Sequence, residues 1–245
     1  MQAIILCGGI GSRLDPLTQF IPKPMVPLNQ KPHLEYQISL LKENGITNII
    51  LSTGYLHKEI EEYFGDGSRF GVQISYCEDG EVLLGTAGAL KNCEPFVNTE
   101  SIVVINGDIL TDICIKNIMG THTNSNQPIT MTLIDVENAM DFGQVDFDIQ
   151  ERAIKFKEKG EDLEKNTLKH FINAGIYVIN KEVLETIEKG KFSMLEKDVF
   201  PLFVDSRKVQ CHLCYSKENY WLDIGTWERY LKAKEDTEKQ TFFTN

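Results

Sequence analysis

The stretch LCGGIGSRLDPLTQFIPKPMVPL, Leu6 to Leu28, carries the residue types that phosphate chemistry needs. Gly8, Gly9 and Gly11 follow a short apolar run, and residues without side chains let backbone N–H groups wrap around phosphate oxygens. Arg13 and Lys23 add the cations, and Pro22 and Pro24 flank Lys23, restricting its backbone and aiming one side chain. A dinucleotide fingerprint does not fit, because GGIGSR has the wrong spacing and leads into a proline-rich loop rather than a helix. A Walker A loop does not fit either, since no GK[ST] follows the glycines. Glycines alone are compatible with an ordinary tight turn; Arg13 and the proline-held lysine weigh against that reading. Further along, Asp108 closes the apolar run IVVIN. An acid there is more often a cap or turn residue, yet the C-terminal edge of a parallel sheet is where such folds place ligands. Asp112 is close enough to stand as an outside candidate.

The elements that must hold these residues alternate. Strands are expected at Ala3 to Gly8, Asn48 to Tyr55, Val72 to Cys77 and Ser101 to Asp108. Helices are expected between them at His33 to Gly45, His57 to Gly65 and Thr86 to Cys93. This rhythm predicts a mostly parallel sheet covered on both faces. The second half is more mixed. Ile129 to Val136, Phe171 to Asn180 and KVQCHLCY read as strands, QVDFDI and AIKFKEK as an antiparallel pair, and NYWLDIGT as a short strand. KEVLETIEK reads as a helix, and KDVFPLFV as a helix ending near its proline. A last amphipathic helix is capped by Thr226, with Glu228, Tyr230 and Leu231 behind the cap. The expected architecture is a single-domain, Rossmann-like α/β three-layer sandwich with a small antiparallel portion, spanning residues 1–240 before a tail of 241–245.

The chain has 245 residues, enough for one full core. With 36 Asp and Glu against 25 Lys and Arg, its net charge of -11 argues against nucleic acid or an anionic membrane as partner. A pocket for a phosphorylated small molecule needs only two or three well-placed cations. The opening MQAIILCGG lacks the basic start of a secretory signal, and the apolar runs are strand-sized, so a cytoplasmic protein is expected. Six scattered cysteines suit a reducing compartment. Cys211 and Cys214 have metal-like spacing without a second pair, so packing is the favoured role.

GGIGSRLDPLT (Gly8 to Thr18) and PKPMVPLNQKP (Pro22 to Pro32) make the chain resemble the sugar-1-phosphate nucleotidyltransferases, whose signature is GGxGTRLxPLT followed by PKPMxPLxxKP. LLGTAGAL, FGQVDFD, FKEKG, NAGIYV and WLDIGT extend the likeness to the C-terminus. The resemblance implies nucleotide contacts at Leu6, Gly8, Gly9, Gly11, Ser12, Arg13, Lys23, Gly85, Thr86 and Asp108. It implies Mg2+ ligands at Asp108 and Asp223, and contacts to the sugar phosphate at Gly143, Glu158, Lys159, Asn173 and Gly175. Arg13, Lys23, Asp108 and Asp223 form the implied catalytic set. Ser12 replaces the usual threonine and keeps its hydroxyl, Cys7 stands for alanine as a small buried residue, and Gly160 replaces a proline. On composition alone Glu158 and Lys159 belong to an exposed charge run.

The implied reaction joins a nucleoside triphosphate to a sugar 1-phosphate and releases pyrophosphate. The opening and compact length look most like the guanylyltransferases for D-glycero-D-manno-heptose or mannose 1-phosphate, the heptose favoured. Uridylyl, thymidylyl or cytidylyl transfer to another sugar, a cytidylyltransferase for a non-sugar phosphate, and a non-catalytic nucleotide-sugar sensor are the alternatives. Homo-oligomerisation is left open.

Overall fold

The computed structural model describes residues 1–80, 82–137, 139–157 and 170–239. Gln2–Leu6 is the central strand, parallel to Asn48–Thr53 on one side and to Ser101–Asn106 on the other. Gln73–Glu78 extends the parallel block beyond Asn48–Thr53. Every second residue of the central strand faces the same layer. Ala3, Ile5 and Cys7 pack with Leu34, Ile38 and Leu41 of the His33–Glu43 helix. Ile4 packs on the opposite face with Ala87 and Leu90 of the Gly85–Asn92 helix. Burial on both faces is why this strand is apolar from Ala3 to Leu6 instead of alternating.

The second half of the chain completes a nine-stranded mixed sheet. His170–Asn180 runs antiparallel to Ser101–Asn106 and carries Ile129–Val136 on its other side, with Val209–Cys214 parallel beyond that. The Gln144–Phe147 and Ala153–Lys157 strands pair antiparallel and attach through Gln144 opposite Ile172, giving the small antiparallel portion. Tyr177 and Phe200 are fully buried, with ring centroids 4.9 Å apart, and anchor this half.

A third cluster decides where the site forms. Leu14, Val26, Leu28, Leu110, Ile224, Tyr230 and Ala233 tie the N-terminal loop to a two-stranded ribbon, Ile109–Thr111 against Trp221–Asp223, and to the final helix Trp227–Glu238. Thr226 Oγ1 caps that helix by accepting from the Arg229 N–H at 3.4 Å.

Two expectations are corrected and one helix is added. In the final helix the buried stripe follows Tyr230, Ala233 and Thr237 at helical spacing, and Leu231 is exposed. Pro201 does not end a helix: a π-helical turn, Leu195–Val199, runs into Phe200–Asp205, and Pro201 stands in the first turn of that helix, where its missing N–H costs nothing. Of KEVLETIEK, only Lys181–Glu185 is helical. The helix Ile115–Ser125 was not anticipated, since Gly, Thr, Asn and Ser dilute its apolar signal to Ile115 and Ile118, with His122 completing the buried stripe. The tail 241–245 lies outside the described residues.

Candidate active site

Two cavities open at the C-terminal edge of the parallel strands, and Asp108 belongs to both. The first, about 480 Å³, is walled by the glycine loop, Leu6 to Ser12, together with Lys23, Gly85 and Thr86. Gly11 has φ +73°, and a Cβ there would stand 3.0 Å from the Lys23 Cβ, so glycine lets the loop turn against the lysine. Arg13 departs from the expected grouping: it lines the second cavity and not the first. Cys7 is buried, and burial pushes its thiol far above the usual range, so it is a packing residue. Cys211 and Cys214 are likewise buried free thiols.

Lys23 Nζ meets Asp108 Oδ2 at 2.5 Å. Burial pushes the Asp108 carboxyl up, but Lys23, His33 and Arg13 together hold it below the ordinary carboxylate range. The turn bearing Asp108 is braced from behind by the first helix. Gln37 Nε2 donates to the Asn106 and Ile109 carbonyls at 2.9 Å each, and His33 Nε2 lies 3.0 Å from the same Ile109 carbonyl. Gly107 fits between the strands because a Cβ would lie 2.4 Å from the Leu6 carbonyl oxygen.

Burial lowers the His33 pKa from 6.5 to about 4. The unfolded chain therefore takes up a proton at His33 before the folded one does. The stability this represents is present above pH 6.5 and is lost as the pH falls through about 4. The expected loss is about 3 kcal/mol. Urea titrations between pH 7 and 4 check this: His33→Gln should remove a corresponding part of the decline, and an unchanged slope would refute the assignment.

Asp223 reaches the same place from the ribbon, where it pairs with Ile109 and its neighbour Ile224 donates to the Asp108 carbonyl at 2.8 Å. Burial, then Asp108, raise the Asp223 pKa against the pull of Arg229, Lys23 and Arg13. Arg229 Nη1 lies 3.0 Å from Asp223 Oδ2 as an ion pair, but not in hydrogen-bonding geometry, and that oxygen is buried without a hydrogen-bond partner. The two carboxylates repel each other, and each is ion-paired with a cation of its own, Asp108 with Lys23 and Asp223 with Arg229. No group of three or more His, Cys, Asp or Glu suited to a metal occurs among the described residues. Mg2+ commonly takes one or two carboxylates and completes its shell with substrate phosphates and water, and Asp108 and Asp223 are the residues that would hold it. Asp112 is engaged elsewhere, since its Oδ1 accepts from the Tyr220 N–H at 2.7 Å and it lines neither cavity.

The second cavity, about 390 Å³, brings together Arg13, Asp108, Gly143, Asn173, Gly175 and Asp223. Asn173 Nδ2 donates to the Tyr177 hydroxyl at 2.8 Å, and its Oδ1 accepts from the Gly175 N–H at 3.0 Å, so the side chain is locked in place. Phe142 and Trp221 meet edge to face at 5.5 Å, and the Arg229 guanidinium lies 5.2 Å from the Phe142 ring centre. Glu158 and Lys159 lie outside the described residues. Asp79, His33, Gln37, Glu196 and Arg229 were missed from the sequence. Only Asp79 had a legible signal, an acid just after the third parallel strand.

Two adjoining cavities at the sheet edge thus share a lysine-paired aspartate, with glycine-rich backbone on one side and Arg13, Asn173 and Asp223 on the other. The chain belongs to the Nucleotidyl transferase family, which it matches over residues 2–240. It is 34% identical over 96% of its length to mannose-1-phosphate guanylyltransferase of Mycobacterium tuberculosis, spanning 64% of that protein, which is less than two thirds. It is 37% identical to D-glycero-alpha-D-manno-heptose 1-phosphate guanylyltransferase of Campylobacter jejuni, covering 94% of this chain and 97% of that one. Relatives at this level include a uridylyltransferase as well as guanylyltransferases. HddC from Yersinia pseudotuberculosis, solved as a complex with GMP-PN, superposes with a TM-score of 0.82 at 28% identity, covering 96% of this chain and 99% of its own.

Proposed function

We propose that this protein is a Mg2+-dependent guanylyltransferase that joins GTP to a manno-configured sugar 1-phosphate, D-glycero-D-manno-heptose 1-phosphate before mannose 1-phosphate. The observation that carries the reading is the placement of Asp108 and its partner Lys23 where the two cavities meet. GTP occupies the glycine-loop cavity and the sugar phosphate the other. An oxygen of the sugar phosphate attacks the α-phosphorus, an O–P bond forms as the α–β bridge breaks, and pyrophosphate leaves. The nucleophile is already anionic near neutral pH, so no general base is needed. The difficulty lies in holding two polyanions together, and Arg13 and Lys23 meet it by neutralising charge while the loops align the groups. Mg2+ held by Asp108 and Asp223 would add charge neutralisation at the phosphate oxygens. Lys159 is assigned to the sugar phosphate and Glu158 to sugar hydroxyls by the family resemblance. No helix among the described residues is long and apolar enough to cross a membrane. We place the protein in the cytoplasm, where its six free thiols stay reduced.

The choice of guanine rests on Asp79. It lines the glycine-loop cavity three strand spacings from Asp108, about 14 Å. Its Oδ1 is buried and unpartnered. An ionised carboxylate only accepts hydrogen bonds, and guanine alone among the common bases offers two adjacent donors, N1–H and the N2 amino group. Burial pushes Asp79 up to about 6, so the KM for GTP should rise as the pH falls below that value. Asp79→Asn should cost about 10- to 100-fold in kcat/KM for GTP and spare UTP. Equal losses for both would remove Asp79 as the base reader.

Pyrophosphate release, measured with Mg2+ while the four ribonucleoside triphosphates and dTTP are crossed with mannose, glucose, N-acetylglucosamine and heptose 1-phosphates, tests the whole reading. Turnover confined to GTP with manno-configured sugars is expected. Turnover with another base or sugar overturns the substrate assignment, and none with any pair favours a sensor.

A further inference from the structure

The wall between the two cavities is built from a contact that the reaction outlined above does not use. Ser193 accepts backbone hydrogen bonds from Ala87 at 2.9 Å and Gly88 at 3.2 Å, and returns one from its own N–H to the Leu84 carbonyl at 2.9 Å. The approach is so close that a Cβ on Gly85 would stand 2.4 Å from the Ser193 carbonyl oxygen, and one on Gly88 would stand 2.6 Å from that of Lys191. The first turn of the Gly85–Asn92 helix is thus covered by the segment leading into the π-helical turn. Met194, in that segment, lines both cavities.

Thr86 sits at this crossing. It lines the glycine-loop cavity, but its hydroxyl is committed elsewhere: Oγ1 accepts from the Leu195 N–H at 2.8 Å and donates to Glu196 Oε2 at 3.0 Å. Glu196 lines the second cavity; burial first, and the Glu196 charge after it, raise the pKa of Tyr177, whose hydroxyl is held by Asn173. A carboxylate that accepts from a fixed hydroxyl on another element has its rotamer set in part from outside its own helix. Glu196 stands in the π-helical turn Leu195–Val199 that precedes the Phe200–Asp205 helix.

We propose that Glu196 is an acceptor-binding residue that takes hydrogen bonds from sugar hydroxyls, and that Thr86 is its positioning residue. The threonine of the LGTAG stretch then serves the acceptor although it also lines the glycine-loop cavity. This rests on the reading of the second cavity as the sugar phosphate site.

The test is steady-state kinetics on Thr86→Val, Thr86→Ser, Glu196→Gln and the double variant T86V/E196Q, with calorimetric GTP binding measured in the absence of acceptor. Thr86→Val and Glu196→Gln are each expected to raise the acceptor KM about tenfold while GTP affinity stays within about twofold. The double variant should be no worse than about twofold beyond either single, because both remove the same contact. Thr86→Ser, which keeps the hydroxyl, should return to within about twofold of wild type. Weakened GTP binding in Thr86→Val, or a double variant whose losses multiply to about a hundredfold, overturns this inference alone, leaving the enzyme reading intact. A wild type that binds GTP but turns over no sugar 1-phosphate overturns the acceptor site and this inference with it.

Discussion

Asp108→Asn is expected to lower kcat by about 10³-fold while changing stability by no more than about 2 kcal/mol. The side chain is the one acid shared by both cavities among the described residues, and its carboxylate meets Lys23 Nζ at 2.5 Å. Asparagine keeps the shape and removes the charge. It therefore tests charge placement at the reacting phosphate and leaves the packing of the Asn106 to Ile109 turn intact, since Gln37 and His33 brace that turn through backbone carbonyls. Single-turnover kinetics with saturating substrates, alongside urea titration, separates the two quantities. Activity within tenfold of wild type would show that Asp108 is not at the reacting centre.

Lys23→Met is expected to cost about 10²- to 10³-fold in kcat and to move the acidic limb of the pH profile upward. The shift follows from the balance at Asp108: burial pushes its carboxyl up, and Lys23 leads the charges that hold it down. With the ammonium gone, protonation begins at higher pH, so activity falls away sooner as the solution is acidified. Lys23→Arg should not restore the rate, because Pro22 and Pro24 flank the residue and the 2.5 Å contact suits a compact ammonium better than a planar fork. A profile whose acidic limb stays put in Lys23→Met would mean that Asp108 does not govern it.

Much of this molecule is legible in one dimension. The strand and helix alternation of the first half can be read because strands buried on both faces must be apolar throughout, as Ala3, Ile4 and Ile5 are. The glycine loop and proline-held Lys23 are legible because backbone requirements are local: Gly11 needs its positive φ whatever surrounds it. Thr226 as a helix cap is local in the same sense.

What the sequence by itself determined is therefore the sheet, the phosphate loop and the residue types available for catalysis. Only the tertiary structure decided how they divide between two cavities. Arg13 faces the second cavity because the third hydrophobic cluster docks the N-terminal loop onto the ribbon and final helix. Asp79, His33 and Gln37 gained their places by facing the cavity or the Asp108 turn across the sheet edge, and Glu196 by a hydroxyl 110 positions away. Apolar burial and backbone geometry repeat along the chain and leave a periodic trace, whereas the meeting of two polar side chains depends on distances that no local spacing records.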